Sequence, residues 1–154
     1  MIGLILCAGR GKRMVSELAE FPKCMIEVGN KPILERVANY LEKQGIQRIV
    51  VNLHSFPSKV MDYFGQRFLY LYEPVPMGEF ATVSLIKAWF PGEDILVANG
   101  DTLIEDNINL DFYPPEFRHN GLTLYQGNNR KIFRTNFIDI GTPKGLAEAR
   151  KKYG

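Results

Sequence analysis

The chain is expected to adopt a three-layer α/β fold, a mostly parallel sheet flanked by helices. Apolar runs bounded by turn residues alternate with helical patterns along most of its 154 residues, which is how a parallel sheet with crossover helices reads in sequence. A glycine-rich turn directly follows the first apolar run, and carboxylates follow two later ones, at the strand ends where such sheets bind ligands.

The elements follow in order. Residues 2–6 (Ile-Gly-Leu-Ile-Leu) form the first strand. Pro32 can start a helix in which Ile33, Leu34, Val37, Tyr40 and Leu41 share a face, and Gly45 ends it. Ile46 to Leu53 reads as the second strand, Pro57 to Phe64 as a short helix closed by Gly65, and Phe68 to Tyr72 as a third strand. Glu79 to Phe90 is a helix with Val83, Ile86 and Trp89 on one face, stopped by Pro91-Gly92. Ile95 to Ala98 is a buried fourth strand that delivers Asn99-Gly100-Asp101 at its carboxyl end. Pro114-Pro115 then breaks the chain. Strand-like stretches follow at Gly121–Gln126 and Lys131–Asp139, and Thr142-Pro143 caps a last helix reaching about Lys152. Phe64, Phe68, Tyr70 and Tyr72 read as core aromatics. One domain over residues 1–154 is expected, without repeats or low-complexity segments.

Composition bounds the function classes. A hydrophobic content of 45%, with 12% aromatics, is enough for a core. The apolar opening is too short for a signal peptide and no run could span a bilayer, so a cytoplasmic protein without membrane attachment is expected. Cys7 and Cys24 are then expected as reduced thiols. A net charge of +2 without a basic stripe gives no sign of a nucleic-acid partner. His54 and His119 have no partner pattern and read as surface or packing residues.

The segment Leu4-Ile5-Leu6-Cys7-Ala8-Gly9-Arg10-Gly11-Lys12-Arg13-Met14, followed by Pro22-Lys23, carries the strongest chemical signal. Two glycines let the backbone bend around an anion, and the cations neutralise its charge, as a triphosphate requires. A dinucleotide-binding turn does not fit, because Met14 stands where the third glycine belongs and Asn52-Leu53-His54 offers no carboxylate to a ribose.

The segment resembles the signature of the sugar-nucleotide nucleotidyltransferases, or NDP-sugar pyrophosphorylases, L-x-A-G-x-G-x-R-[LM] and then P-K; Ala8, Gly9, Gly11, Arg13, Met14, Pro22 and Lys23 all fit. The resemblance implies a Rossmann-like fold of the nucleotide-diphospho-sugar transferase type and a nucleotide site that includes Leu6, Ala8, Gly9 and Gly11. Arg13 would hold the β and γ phosphates, and Lys23 would sit near the α-phosphate and the acceptor. Phe137-Ile138-Asp139-Ile140-Gly141-Thr142 matches the family's W-x-D-x-G-T motif with Phe137 in the tryptophan place. Asp101 and Asp139 would hold Mg²⁺, an ion that keeps waters and seldom takes an all-protein cage. Asp101 taken alone reads more often as a cap or turn residue, and the second aspartate motif changes that balance. The loop Glu73-Pro74-Val75-Pro76-Met77-Gly78 resembles the nucleobase loop, where Gly78 lets a base pack close and Glu73 either accepts hydrogen bonds from it or serves the turn. Glu79-Phe80 replaces the small residues usual there.

The implied reaction joins an NTP to a sugar-1-phosphate or similar small phosphate ester and releases pyrophosphate. The resemblance weakens in the middle. Residues 102–138, 37 in all, separate the two aspartates, and the family's long insertion with its Glu-Lys-Pro element is missing. Arg130 and Arg134, which would point to one face of an extended strand, are candidates for an acceptor phosphate or plain charges on an edge strand. A second subunit could complete the acceptor side. The alternatives are a non-catalytic nucleotide-binding module of the same fold and a transferase of the molybdenum-cofactor or cytidyl-methylerythritol type.

Overall fold

The computed structural model describes residues 1–9, 21–105, 122–133 and 135–154. In chain order these form β1 (Ile2–Leu6), β2 (Glu27–Val28), β3 (Lys31–Pro32), α1 (Ile33–Lys43), β4 (Arg48–Leu53), α2 (Pro57–Phe64) and β5 (Leu69–Tyr72). There follow α3 (Glu79–Trp89), β6 (Ile95–Asn99), β7 (Thr102–Ile104), β8 (Leu122–Gln126), β9 (Asn129–Phe133), β10 (Phe137–Asp139) and α4 (Pro143–Tyr153).

Six strands make the main sheet in the order β5-β4-β1-β6-β8-β9. The first four run parallel, and β8 and β9 close the far edge antiparallel, so the α/β expectation holds with a hairpin added. Alternation along the central strands sorts their side chains onto two faces. Ile2, Leu4, Val50, Ile95 and Val97 pack with Val83 and Ile86 of α3. Ile5, Ile49, Val51, Leu96 and Ala98 pack on the other face with residues of α1, α2 and α4. Both faces of the parallel strands are covered, which is why these runs are continuously apolar rather than alternating.

Four expectations need correction. Lys131–Asp139 is not one strand: β9 ends at Phe133 on the edge of the main sheet, while β10 leaves it and pairs antiparallel with β7. The hairpin β2–β3 and strand β7 are additional, each too short to show a period in sequence. Tyr72 is 56% exposed, as the last residue of the edge strand β5, and Trp89, the last residue of α3, is 47% exposed; Phe64 and Phe68 are buried as expected. The second and third strands start later than expected, at Arg48 and Leu69. Among the described residues no helix is long and apolar enough to cross a membrane.

Candidate active site

Parallel register brings three strand ends to one place: Leu6 lies opposite Asn52 on one side and Asn99 on the other. Beyond them the Gly100 N–H donates to the Leu6 carbonyl at 2.9 Å, which ties the chain after β6 to the end of β1. A Cβ on Gly100 would stand 2.9 Å from that carbonyl and 2.5 Å from Cys7 Sγ, so only glycine permits the approach. A cleft of ≈ 270 Å³ opens here, running from Ala8, Gly9, Lys23 and Asp101 to Glu73, Gly78 and Glu79.

Three charged groups meet at the near end. Lys23 follows Pro22 in a 3₁₀ turn, and its Nζ lies 2.6 Å from Asp101 Oδ2. Asp101 also takes the Thr102 hydroxyl on Oδ1 at 3.1 Å, and its carbonyl accepts the Ile140 N–H at 2.9 Å. Pairing of β10 with β7 sets Asp139 opposite Thr102, so the second aspartate arrives beside the first from a segment distant in sequence. Gly141 measures the convergence. A Cβ built there would be 2.6 Å from Asp101 Oδ2, 2.6 Å from Lys23 Nζ and 2.8 Å from Asp139 Oδ1. The two carboxylate oxygens are therefore no further apart than the sum of their distances to that point. Asp139 is held from behind: its Oδ1 accepts the Gly141 N–H at 2.8 Å and its carbonyl takes the Thr142 hydroxyl at 3.2 Å. Thr142 in turn caps α4 by accepting the Gly145 N–H at 3.1 Å.

Glu73 is 2% exposed and fully engaged by the protein. Its Oε2 accepts from Asn52 Nδ2 at 2.8 Å and from the Thr82 hydroxyl at 2.9 Å, and its Oε1 accepts the Met77 N–H at 2.9 Å. Asn52 passes the constraint on by accepting the Cys7 N–H at 2.6 Å. The carboxylate thus fastens the 73–78 loop to β4 and α3 and, through Asn52, to the end of β1. His54 belongs to the same arrangement, with Nδ1 2.9 Å from the Glu73 carbonyl. Sequence reasoning missed Asn52 and Thr82. The available signal was an amide inside the apolar run Ile49-Val50-Val51-Asn52-Leu53, since a buried polar group requires partners.

Gly78, at φ +87°, is the N-cap of α3, and its conformation favours glycine. The next residue, Glu79, lines the cleft and accepts the Tyr125 phenol at 2.8 Å. Burial, with the Glu79 carboxylate beside it, pushes the Tyr125 pKa up to about 12, so the phenol remains a donor at neutral pH. Arg130 lies 3.6 Å from the same Glu79 oxygen and covers the Phe80 ring at 4.9 Å. The structure therefore puts Arg130 at the Glu79 end, on the β8–β9 hairpin, rather than among the groups at Gly141. Arg10, Gly11, Lys12, Arg13, Met14, Arg118, His119 and Arg134 lie outside the described residues. Among the described residues no group of three or more His, Cys, Asp or Glu side chains could hold a metal ion.

Comparison with known proteins matches residues 3–108 to the MobA-like NTP transferase domain. The chain belongs to that family. It is 33% identical over 108 residues to the D-glycero-alpha-D-manno-heptose 1-phosphate guanylyltransferase of Aneurinibacillus thermoaerophilus, an alignment covering 67% of this chain and 47% of that protein. It is 32% identical over 145 residues to the bifunctional protein GlmU of Methanococcus maripaludis, covering 92% of this chain and 33% of that one. The chain thus spans about half the length, or less, of these relatives. Among solved structures, a putative glucose-1-phosphate thymidylyltransferase from Bacillus anthracis superposes with a TM-score of 0.81 at 15% identity, covering 99% of this chain and 95% of that one. HddC from Yersinia pseudotuberculosis complexed with GMP-PN gives 0.73 at 21% identity, covering 99% of each chain. These likenesses establish the Rossmann-like nucleotidyltransferase fold, and the resemblance read from the glycine segment stands.

Proposed function

We propose that the cleft binds an NTP and a sugar-1-phosphate or similar small phosphate ester and transfers the nucleotidyl group between them, releasing pyrophosphate. The convergence of Asp101, Lys23 and Asp139 around Gly141 carries this reading, because a transferring phosphoryl group needs opposite charge placed in advance on more than one side. The relatives' sugar-phosphate guanylyltransferase names support the substrate class.

A phosphate monoester is already an anionic nucleophile near neutral pH, so no general base is required. The protein's part is positioning and charge. The Lys23 ammonium, aimed into the near end of the cleft, would hold the α-phosphate and acceptor in line, while the backbone at Ala8 and Gly9 gives the phosphates room. Arg13 and Gly11 are proposed for the β and γ phosphates on their motif positions alone. Asp101 and Asp139 suit Mg²⁺: they are hard oxygen donors brought together at one point, Asp101 already faces a cation, and a pair of carboxylates leaves the remaining positions to water and phosphate as this ion prefers. Bound there, Mg²⁺ would neutralise charge on the α-phosphate. The base would lie toward Gly78, with Glu73 shaping the loop. Cytoplasmic action and a single catalytic domain over residues 1–154 complete the proposal.

The test is pyrophosphate release across a panel of NTPs and sugar-1-phosphates, with Mg²⁺ and with chelator. Release that requires one NTP, one phosphate ester and the metal together is expected. Calorimetric NTP binding without release under any pairing would instead identify a binding module.

A further inference from the structure

Neither thiol has a part in the chemistry above, yet the two meet on the cleft wall. Cys7 follows β1 and is half-buried, and Cys24 follows Lys23 and is 3% exposed; both line the cleft and neither is in a disulfide. They share the space above Gly100, whose Cβ would stand 2.5 Å from Cys7 Sγ and 3.5 Å from Cys24 Cβ. Backbone on both sides is fixed, by the Cys7 N–H on Asn52 Oδ1 and by the 3₁₀ turn of Lys23–Met25.

We infer that Cys7 and Cys24 are an oxidation site, a dithiol that a hydroperoxide converts to an intramolecular disulfide across the floor of the cleft. Cys7, the less buried of the two, is the sulfur a small peroxide reaches from the cleft. Burial, with Cys24 and Asp101 beside it, pushes its thiol pKa up, so the attack is slow and calls for sustained exposure to peroxide, and Cys24 then resolves it. Cys7 sulfur attacks the terminal peroxide oxygen, the O–O bond breaks, and the alcohol, or water from hydrogen peroxide, leaves with the thiol's proton, giving a sulfenic acid. Cys24 sulfur then attacks the Cys7 sulfur, the S–O bond breaks, and the hydroxyl departs as water with the Cys24 proton. Two thiols are oxidised by two electrons and one peroxide is reduced. The new bond joins the strand end before Gly9 to the residue after Lys23, so it would lock the backbone that presents both and arrest turnover until a thiol reductant opens it.

The experiment treats the whole chain with hydrogen peroxide and then reads it by thiol titration after denaturation and by peptide mass spectrometry. Loss of both thiols, a Cys7–Cys24 linked peptide lighter by two hydrogen atoms, and their recovery with dithiothreitol are expected. Cys24→Ser should instead leave Cys7 to overoxidise to the sulfinic acid, with no linked peptide. Two thiols that survive the treatment, a Cys7 sulfinic acid beside a free Cys24, or bonds formed only between chains would each overturn the inference. A protection arm rests on the proposed nucleotide site: saturating NTP should slow the linkage by covering Cys7. Linkage that forms at an unchanged rate would uphold the thiol pair and count against that nucleotide placement.

Discussion

Gly141 stands where a methyl group would meet Asp101, Lys23 and Asp139 at once. All three are side-chain tips that must move aside, which pulls apart the Lys23–Asp101 pair and takes Asp139 off the Gly141 N–H. Gly141→Ala should therefore keep the fold and cut turnover by ~10²-fold, the scale of losing one well-placed charge-stabilising group; initial-rate kinetics beside a thermal melt separates the two effects. Glu73 calls for the opposite balance. Glu73→Ala leaves the Asn52 amide, the Thr82 hydroxyl and the Met77 N–H without their acceptor in a buried site. A loss of ~3 kcal/mol in urea unfolding is expected, the upper part of the range for stranded buried polar groups. A Glu73→Ala protein as stable as the wild type, changed only in its choice of base, would return the carboxylate to direct base reading. Residue types here were legible in sequence because phosphate chemistry restricts them so strongly. Partnership was not: whether Glu73 faces a ligand or its own loop depends on Asn52 and Thr82, which register and packing bring to it.

Elements place these residues, and the smallest place the most. The carboxylates meet because β7 and β10 pair over three residues and α4 starts at once behind Asp139. Gly145, in the first turn of α4, packs so close to the Asp139 carbonyl that a Cβ would overlap it. Backbone cannot swing aside as a side chain can, so Gly145→Ala should cost ~1–3 kcal/mol by overpacking and lower turnover with it, as Asp139 shifts. A melt unchanged from wild type would show that α4 docks more loosely than described. The long elements β1, α1, β4, α3 and β6 could be read from apolar period and from Gly and Pro stops, since each buries a face long enough to repeat. A two- or three-residue strand has no period to read. The break after Phe133 was hidden for the same reason, because an extended chain looks alike in sequence whichever sheet it joins.

Across the whole molecule, a parallel sheet gathers its carboxyl ends, covers both faces with helices and leaves one open rim for ligands. One wall of that rim comes from the first half of the chain, through Ala8, Gly9, Lys23 and the Glu73 loop. Asp101 and Asp139 bring the other, and the proposed chemistry needs both. This predicts that single carboxylate changes act on turnover and leave the fold alone: Asp101→Asn and Asp139→Asn keep their shapes and the hydrogen bonds that Asn can still accept, but lose the charge. The decisive measurement is the rate of pyrophosphate release at saturating NTP, phosphate ester and Mg²⁺ for the wild type and for Asp139→Asn. The account predicts a fall of at least ~10²-fold with an unaltered melting curve, and Asp139→Asn turning over at the wild-type rate would contradict it.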